Sequence, residues 1–338
     1  MTLSPTSMSA NLSNETAYQN ETQCFGDISL NFMMGVSFLS ISVLGIILNL
    51  FVLVVFCFHK KACTVPEIYL SNLAAADFLL MICFPFTVLI SSNKYLSSAK
   101  CKLIYTIINM NTSCSSGFLA LVSIDRYLAL VNPLSHERLR RPICAKLGCV
   151  LVWTLGFLLN VDVIFYFKAV HDPEKNITEC DSFYPSRSHV MLSYILYSTF
   201  SFFLPLCIMF FCTVNILHVL RNRVTESSST QKMEHRATTL VLAVLLVFVI
   251  CWLPDQIATI LYLILLYIPQ VKCHGKFFET IREFSFFLGI FNSVLNPILY
   301  IFFGKTFHKK IKEFFQQCRA LTTSTTLTST CATQTSNS

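Results

Sequence analysis

The chain has 338 residues, 54% of them hydrophobic and only 13% charged, with a mean hydropathy of +0.60, which excludes an ordinary soluble domain and points to a membrane protein. Its net charge of +7 does not indicate nucleic-acid binding, because the basic residues sit in short clusters between apolar segments. Fifteen cysteines without a single C-x-x-C pair, most of them inside apolar runs, read as small buried hydrophobes and not as a metal site or disulfide scaffold.

In chain order, residues 1–29 form a polar tail that has acids but no Lys or Arg, and no visible cleaved signal peptide. Its sequons at Asn11, Asn14 and Asn20 predict a glycosylated, extracellular N-terminus. Seven apolar spans follow within 30–303, at about 30–58, 66–92, 100–131, 143–167, 190–220, 238–268 and 277–303. Basic residues cluster in alternate loops: His59-Lys60-Lys61, then Arg138, Arg140, Arg141 and Lys146, then Arg221, Arg223, Lys232 and Arg236. That asymmetry places those loops and the C-terminus in the cytoplasm. A fourth loop sequon lies at Asn176, on the outer side; the formal sequon at Asn111 lies inside a span and should stay bare. Residues 304–318 alternate basic and aromatic positions at helical spacing and predict an amphipathic eighth helix on the inner lipid surface, ending at Cys318, a palmitoylation candidate. The Ser/Thr-rich tail at 319–338 predicts a disordered phosphorylation substrate. The fold expected is all-α: a seven-transmembrane bundle with a short eighth helix.

Four outer cysteines offer the pairs Cys101–Cys180 and Cys24–Cys273, although four cysteines allow three pairings. Inside the spans, Asp77 is costly unless it faces a cavity with partners. Asn111 and Ser115, four apart and so on one helix face, join Asn292, Ser293 and Asn296 as candidate partners, with Trp252 expected in the same network. A carboxylate among neutral oxygens suits a small hard cation, with sodium the candidate; a water-filled network without an ion is the alternative. Pro85, Pro205, Pro254 and Pro297 interrupt spans as candidate hinges, with Trp252 two residues before one of them. Near the inner side, Arg126 can pair with Asp125 and is expected to reach Glu234 at the base of the sixth span. No internal repeat supports a transporter, and no H-E-x-x-H or G-x-S-x-G motif supports an intramembrane enzyme.

N-x-x-x-x-D at Asn72 to Asp77, D-R-Y at Asp125 to Tyr127, C-W-L-P at Cys251 to Pro254 and N-P-x-x-Y at Asn296 to Tyr300 follow one another on successive spans. The set resembles the rhodopsin-like G-protein-coupled receptors. The stretches VFCFHKKACTVPEIYLSNLAAAD, VSIDRYLALV and EHRATTLVLAVLLVFVICWLP, with NITEC before Cys180 and FCT after Pro205, resemble the bradykinin receptors, particularly the constitutively expressed type. The resemblance implies an extracellular kinin-type peptide agonist, coupling mainly to a Gq-type G protein, calcium release, and regulation by receptor kinases and arrestin through the tail. It implies a plasma-membrane location, a switch built on Asp125, Arg126, Tyr127, Pro297 and Tyr300, and Thr213 beside Tyr300 at the inner cleft.

The ligand side departs from that family. Asp255 stands where the family has an aromatic residue, Tyr262 where it has an acid, and Asp162 where it has a proline, its following arginine aligning near Phe167 or Lys168; the matching acid on the seventh span is retained as Glu279. The second-span aromatic pair is reduced to PFT at 85–87, the tryptophan of the first outer loop is absent, and Asn109 matches neither receptor type. The ligand is therefore expected among Asn109, Asp255, Gln256, Tyr262, Glu279, Arg282, Glu283 and Phe286, with Asp255 and Arg282 paired across the pocket floor when it is empty. A receptor for another peptide, or an orphan receptor of the same family, is the second reading.

Overall fold

The computed structural model describes residues 26–58, 63–90, 97–132, 141–172, 177–222, 229–265, 275–304 and 307–317. Seven helical spans are long and apolar enough to cross a bilayer. They are α1 (Gly26–Cys57), α2 (Val65–Ile90), α3 (Ser98–Val131), α4 (Pro142–Leu159) continued by α5 (Val161–Tyr166), α6 (Arg187–Ser198) continued by α7 (Leu204–Asn222), α8 (Ser229–Leu265) and α9 (Gly275–Phe303). A further helix, α10, covers 307–317.

The 34 residues of α3 measure about 50 Å, more than the ~30 Å of hydrocarbon, so this helix must tilt or project. It is the bundle's axis, touching α2, α4, α7 and α8. Its middle, Asn111 to Ser116, is buried at every position although all but Cys114 carry hydroxyl or amide groups. A helix polar in the middle of a bilayer must be surrounded by protein, since lipid offers no hydrogen-bond partner. The apolar residues that remain uncovered, among them Ile47, Leu151, Phe210, Ile250 and Phe302, lie on the outer spans, where lipid replaces water as solvent.

The fourth span breaks at Asn160, whose Nδ2 donates to the Gly156 carbonyl at 2.8 Å; a short amide competing with the backbone ends the regular helix there. The fifth span contains a π-helical turn, Thr199–Phe203, in which the Leu204 amide bonds to the Thr199 carbonyl. Pro205 explains it: proline has no N–H for the Ser201 carbonyl and its ring would strike that carbonyl, so the chain widens by one residue instead. The candidate hinges at Pro85, Pro254 and Pro297 lie within continuous helices.

Between the fourth and fifth spans the chain forms a hairpin. Its strands β1 (Phe167–Asp172) and β2 (Ile177–Ser182) pair antiparallel, Ala169 opposite Cys180. Both are short and carry charges, so their alternation is hidden from hydropathy. The hairpin is tied to α3 twice, by the Cys101–Cys180 disulfide and by the Ala169 amide donating to Ser98 Oγ at 3.2 Å.

At the other end, α10 turns off the seventh span at Gly304, where any Cβ would strike the Tyr300 carbonyl. Phe307 at its start is buried and its ring meets Phe51 and Phe56 of α1 edge-on or tilted. This is the expected amphipathic eighth helix, described as far as residue 317.

Candidate functional site

The polar centre of the bundle is built on Asp77, which is wholly buried. Its Oδ1 accepts from Asn111 Nδ2 at 3.0 Å, Ser115 Oγ at 3.0 Å and Ser293 Oγ at 2.8 Å, and its Oδ2 from Asn296 Nδ2 at 2.9 Å. Four donors from α3 and α9 thus converge on one carboxylate of α2, the way a buried charge is made tolerable. Asn49 on α1 joins the seventh span through its Nδ2, which reaches the Ser293 carbonyl at 3.0 Å. The sequence placed Asp77, Asn111, Ser115 and Asn296 together, and the structure does so. Asn292 and Trp252, expected in the same network, are buried but no hydrogen bond reaches either amide atom of Asn292 or the Trp252 Nε1.

Trp252 serves a packing role. Its indole closes on Gly289 of α9, where a built Cβ would lie 2.7 Å from Cζ3. Only glycine lets the sixth and seventh spans approach this closely one turn below the outer pocket.

At the Asp125 end, Arg126 Nη2 donates to Asp125 Oδ2 at 2.7 Å, a neighbouring pair that is only partly screened from solvent. Tyr127 lies against Phe211 with ring centroids 5.6 Å apart. Thr213 and Tyr300 are buried with hydroxyl groups that have no hydrogen-bond partner. Each unsatisfied buried hydroxyl is costly unless another arrangement of the helices, or water, satisfies it. Position 234 falls on α8, but the Glu234 side chain is outside the described residues.

The opposite end carries the candidate ligand pocket. Asn109 Nδ2 donates to the Tyr105 carbonyl at 2.8 Å. Gln256 is buried, with Nε2 3.4 Å from Asp255 Oδ2 and Oε1 unpartnered. Tyr262 of α8 lies on Tyr194 of α6 at 5.7 Å, and Phe286 of α9 on Phe84 of α2 at 6.1 Å. Asp255 and Arg282 interact electrostatically, yet they form no ion-pair contact, so the paired pocket floor expected from their signs is corrected to attraction across a gap. Arg282 itself is exposed. The side chains of Glu279 and Glu283 lie outside the described residues, as do Cys24, Cys273, Cys318 and the sequons at Asn11, Asn14, Asn20 and Asn176.

One cluster had no signal in the sequence reading. Ser113 of α3 and Ser201 of the π turn share a 2.6 Å hydrogen bond, and Asn160 Nδ2 reaches Ser113 Oγ at 3.4 Å. Three spans meet there. A serine in a helix is too common a residue to single out, and only the break at Asn160 and Pro205's displaced carbonyl bring the three together.

Residues 48–300 match the model of the seven-transmembrane receptors of the rhodopsin family. The chain is 43% identical to the B2 bradykinin receptor of Oryctolagus cuniculus, over 81% of this chain and 76% of that one. It is 41% identical to the Homo sapiens B2 receptor, over 81% and 72%, and 31% identical to the Macaca mulatta B1 receptor, over 90% and 88%. The chain belongs to the bradykinin receptors. This receptor is therefore a multi-pass protein of the plasma membrane, a G-protein-coupled receptor and not an enzyme. Its four quoted motifs fall at the sites just described: Asp77 at the polar centre, Asp125 and Arg126 at one end, Trp252 on Gly289, and Asn296 to Tyr300 along α9. Asn72, the first residue of the earliest motif, accepts from Trp153 Nε1 at 3.0 Å and fastens the fourth span to the second.

Proposed function

We propose that this receptor takes a kinin-type peptide at its outer face and activates a Gq-type G protein, releasing intracellular calcium. The reading is carried by one observation: a bradykinin-receptor chain keeps, at the far end from its pocket, an Arg126 whose only described ion-pair partner is its neighbour Asp125. Such an arginine is free to change partners when the sixth span moves. The sequons of the N-terminal tail and the alternation of basic loops support an extracellular N-terminus and a cytoplasmic C-terminus. The basic helix α10 and the Ser/Thr-rich tail support membrane-lipid contact, Cys318 palmitoylation, and recognition by receptor kinases and arrestin.

An agonist that binds the open bundle better than the resting one shifts the population toward it. The sixth span is the moving element in this reading, since Pro254 weakens it just beyond Trp252 and Gly289 gives the indole its seat. Opening would also give the Thr213 and Tyr300 hydroxyls new neighbours. Sodium remains the candidate ion at the centre. Asp77 with the hydroxyl oxygens of Ser115 and Ser293 and the unpartnered Asn111 Oδ1 are the groups that would hold it, an all-oxygen set suited to a hard cation. When bound it would supply the positive charge that the neutral donors lack.

A receptor for a different peptide is the second reading, supported by Asp162 and Asp255 standing where the family has a proline and an aromatic residue. Calcium release in cells expressing the chain tests both. A response to bradykinin or to the peptide lacking its C-terminal arginine is expected, and the potency order assigns the type. Silence from both, at verified surface expression, would leave the receptor class and reject the kinin ligand.

A further inference from the structure

Beside the outer halves of α3, α5 and α6 lies a cavity of about 70 Å³ with one-sided chemistry. Phe167, Tyr184, Tyr194 and Tyr197 supply four aromatic rings, Asp162 supplies a carboxylate, and among the described residues no basic side chain lines it. Lys168, the adjacent base, is turned elsewhere, its Nζ standing 6.0 Å over the Phe183 ring. Asp162 is held in place: Oδ2 accepts from the Tyr184 hydroxyl at 2.8 Å and Oδ1 from the Val163 amide at 3.0 Å. Each oxygen keeps acceptor capacity to spare. Burial, and then the charge of Asp162, hold the Tyr184 phenol well above its ordinary pKa, so it stays a donor. Tyr166 backs that phenol ring at 4.8 Å.

A fixed carboxylate among electron-rich ring faces repels an anion and attracts a cation, by charge-assisted hydrogen bonds and by cation–π contact together. The volume suits a single head group. Tyr194 also leads from this cavity to Tyr262, beyond which Arg282 and Asp255 act with opposite signs, so Asp162 is the charge that sets the sign of the cavity itself.

We propose that this cavity is a cation subsite of the ligand pocket, in which Asp162 is the counter-ion and Tyr184, Tyr194 and Tyr197 form the walls, and that it takes a guanidinium or ammonium group of the ligand. The identity of the whole ligand rests on the kinin reading above; the cation preference does not. A free carboxylate is the group this subsite rejects.

Two experiments on the full-length receptor separate the two claims. In the first, purified receptor is heated with millimolar argininamide or with citrullinamide, both acetylated at the α-nitrogen so that the citrullinamide probe carries no charge. Argininamide is expected to raise the wild-type Tm by about 2 °C and citrullinamide to leave it unchanged, with the difference abolished in Asp162→Asn. Equal shifts from the two probes, or an undiminished argininamide shift in Asp162→Asn, overturn the proposal. Should Asp162→Asn fail to fold, Tyr194→Leu removes a wall while leaving the carboxylate, and must weaken the argininamide effect alone. In the second, calcium release is measured with bradykinin and with analogues carrying citrulline in place of each terminal arginine. One replacement should cost about tenfold in potency on the wild type and nothing further on Asp162→Asn. If Asp162→Asn loses potency equally toward charged and neutral peptides, Asp162 only shapes the pocket and the subsite is rejected. Silence toward every peptide overturns the kinin reading alone, and the argininamide result then decides the subsite.

Discussion

Lys310 Nζ donates to Glu67 Oε2 at 2.8 Å, joining α10 to the first turn of α2 across 243 positions of sequence, with both side chains less than a tenth exposed. The same carboxylate oxygen accepts the Thr64 amide at 2.7 Å, so it caps α2 as well. Lys310 also lies over the Phe56 ring of α1, 5.6 Å from its centroid. One ammonium thus fastens the last helix to the first two.

Removing one partner of a buried pair leaves the other charge uncompensated, at a cost of about 3–5 kcal/mol. Lys310→Met and Glu67→Gln should each lower the Tm of the purified receptor by several degrees. The double variant, which buries no lone charge, should be more stable than the sum of the two losses predicts. Additive losses in a thermal-unfolding assay would mean that the pair is not coupled.

Asp77 has the only carboxylate in the central network, so any sodium effect on the bundle should pass through it. Replacing choline chloride by sodium chloride is expected to raise the Tm of the wild type and to leave Asp77→Asn unmoved. In that variant the amide oxygen can still accept from Asn111, Ser115 and Ser293, whereas its NH2 would face Asn296 Nδ2, which must turn. Equal salt responses from the two proteins would take Asp77 out of any ion site.

Gly289→Ala places a methyl group against an indole that is 4% exposed and has nowhere to retreat. The expected cost is about 1–3 kcal/mol, partly recovered by Trp252→Leu in the same chain. The protein has 2 tryptophans, so with Trp153→Phe the emission of Trp252 reports the displaced ring directly. An unchanged Tm together with an unchanged spectrum would contradict the close approach.

Asp255 and Arg282 attract without touching. Their effects on agonist potency should therefore add: the loss in the Asp255→Phe, Arg282→Ala double variant should match the product of the single losses within about twofold. A shortfall of tenfold would place the two in contact in the resting receptor. No change in potency or basal signalling for Asp255→Phe would remove it from the pocket.

Much of this was legible beforehand, for a physical reason. In a bilayer every polar residue is conspicuous, so Asp77, Asn111, Ser115 and Asn296 announced a shared site, and the seven spans followed from length and hydropathy. What stayed hidden depends on tertiary placement. Glu67 and Lys310 each look like an ordinary interfacial charge, and nothing local links them. The hairpin Phe167–Ser182 offers too few residues for a strand pattern to emerge. Asn292 and Trp252 were grouped with Asp77 on shared depth, but depth does not fix which way a side chain faces; Trp252 turns to Gly289 instead. The Asp255–Arg282 attraction was readable from sign, its distance was not.

The widened turn at Thr199–Phe203 divides the fifth span into two independently phased halves. Above it, Ser193, Tyr194 and Tyr197 face the outer cavity; below it, Met209, Cys212 and Ile216 face the core. One extra residue rotates everything after it by roughly 100°. Deleting a single residue within the turn would therefore leave each half helical and apolar while swinging one buried stripe into the lipid. A change of length at that turn therefore re-aims half of the span, which a like-for-like replacement does not.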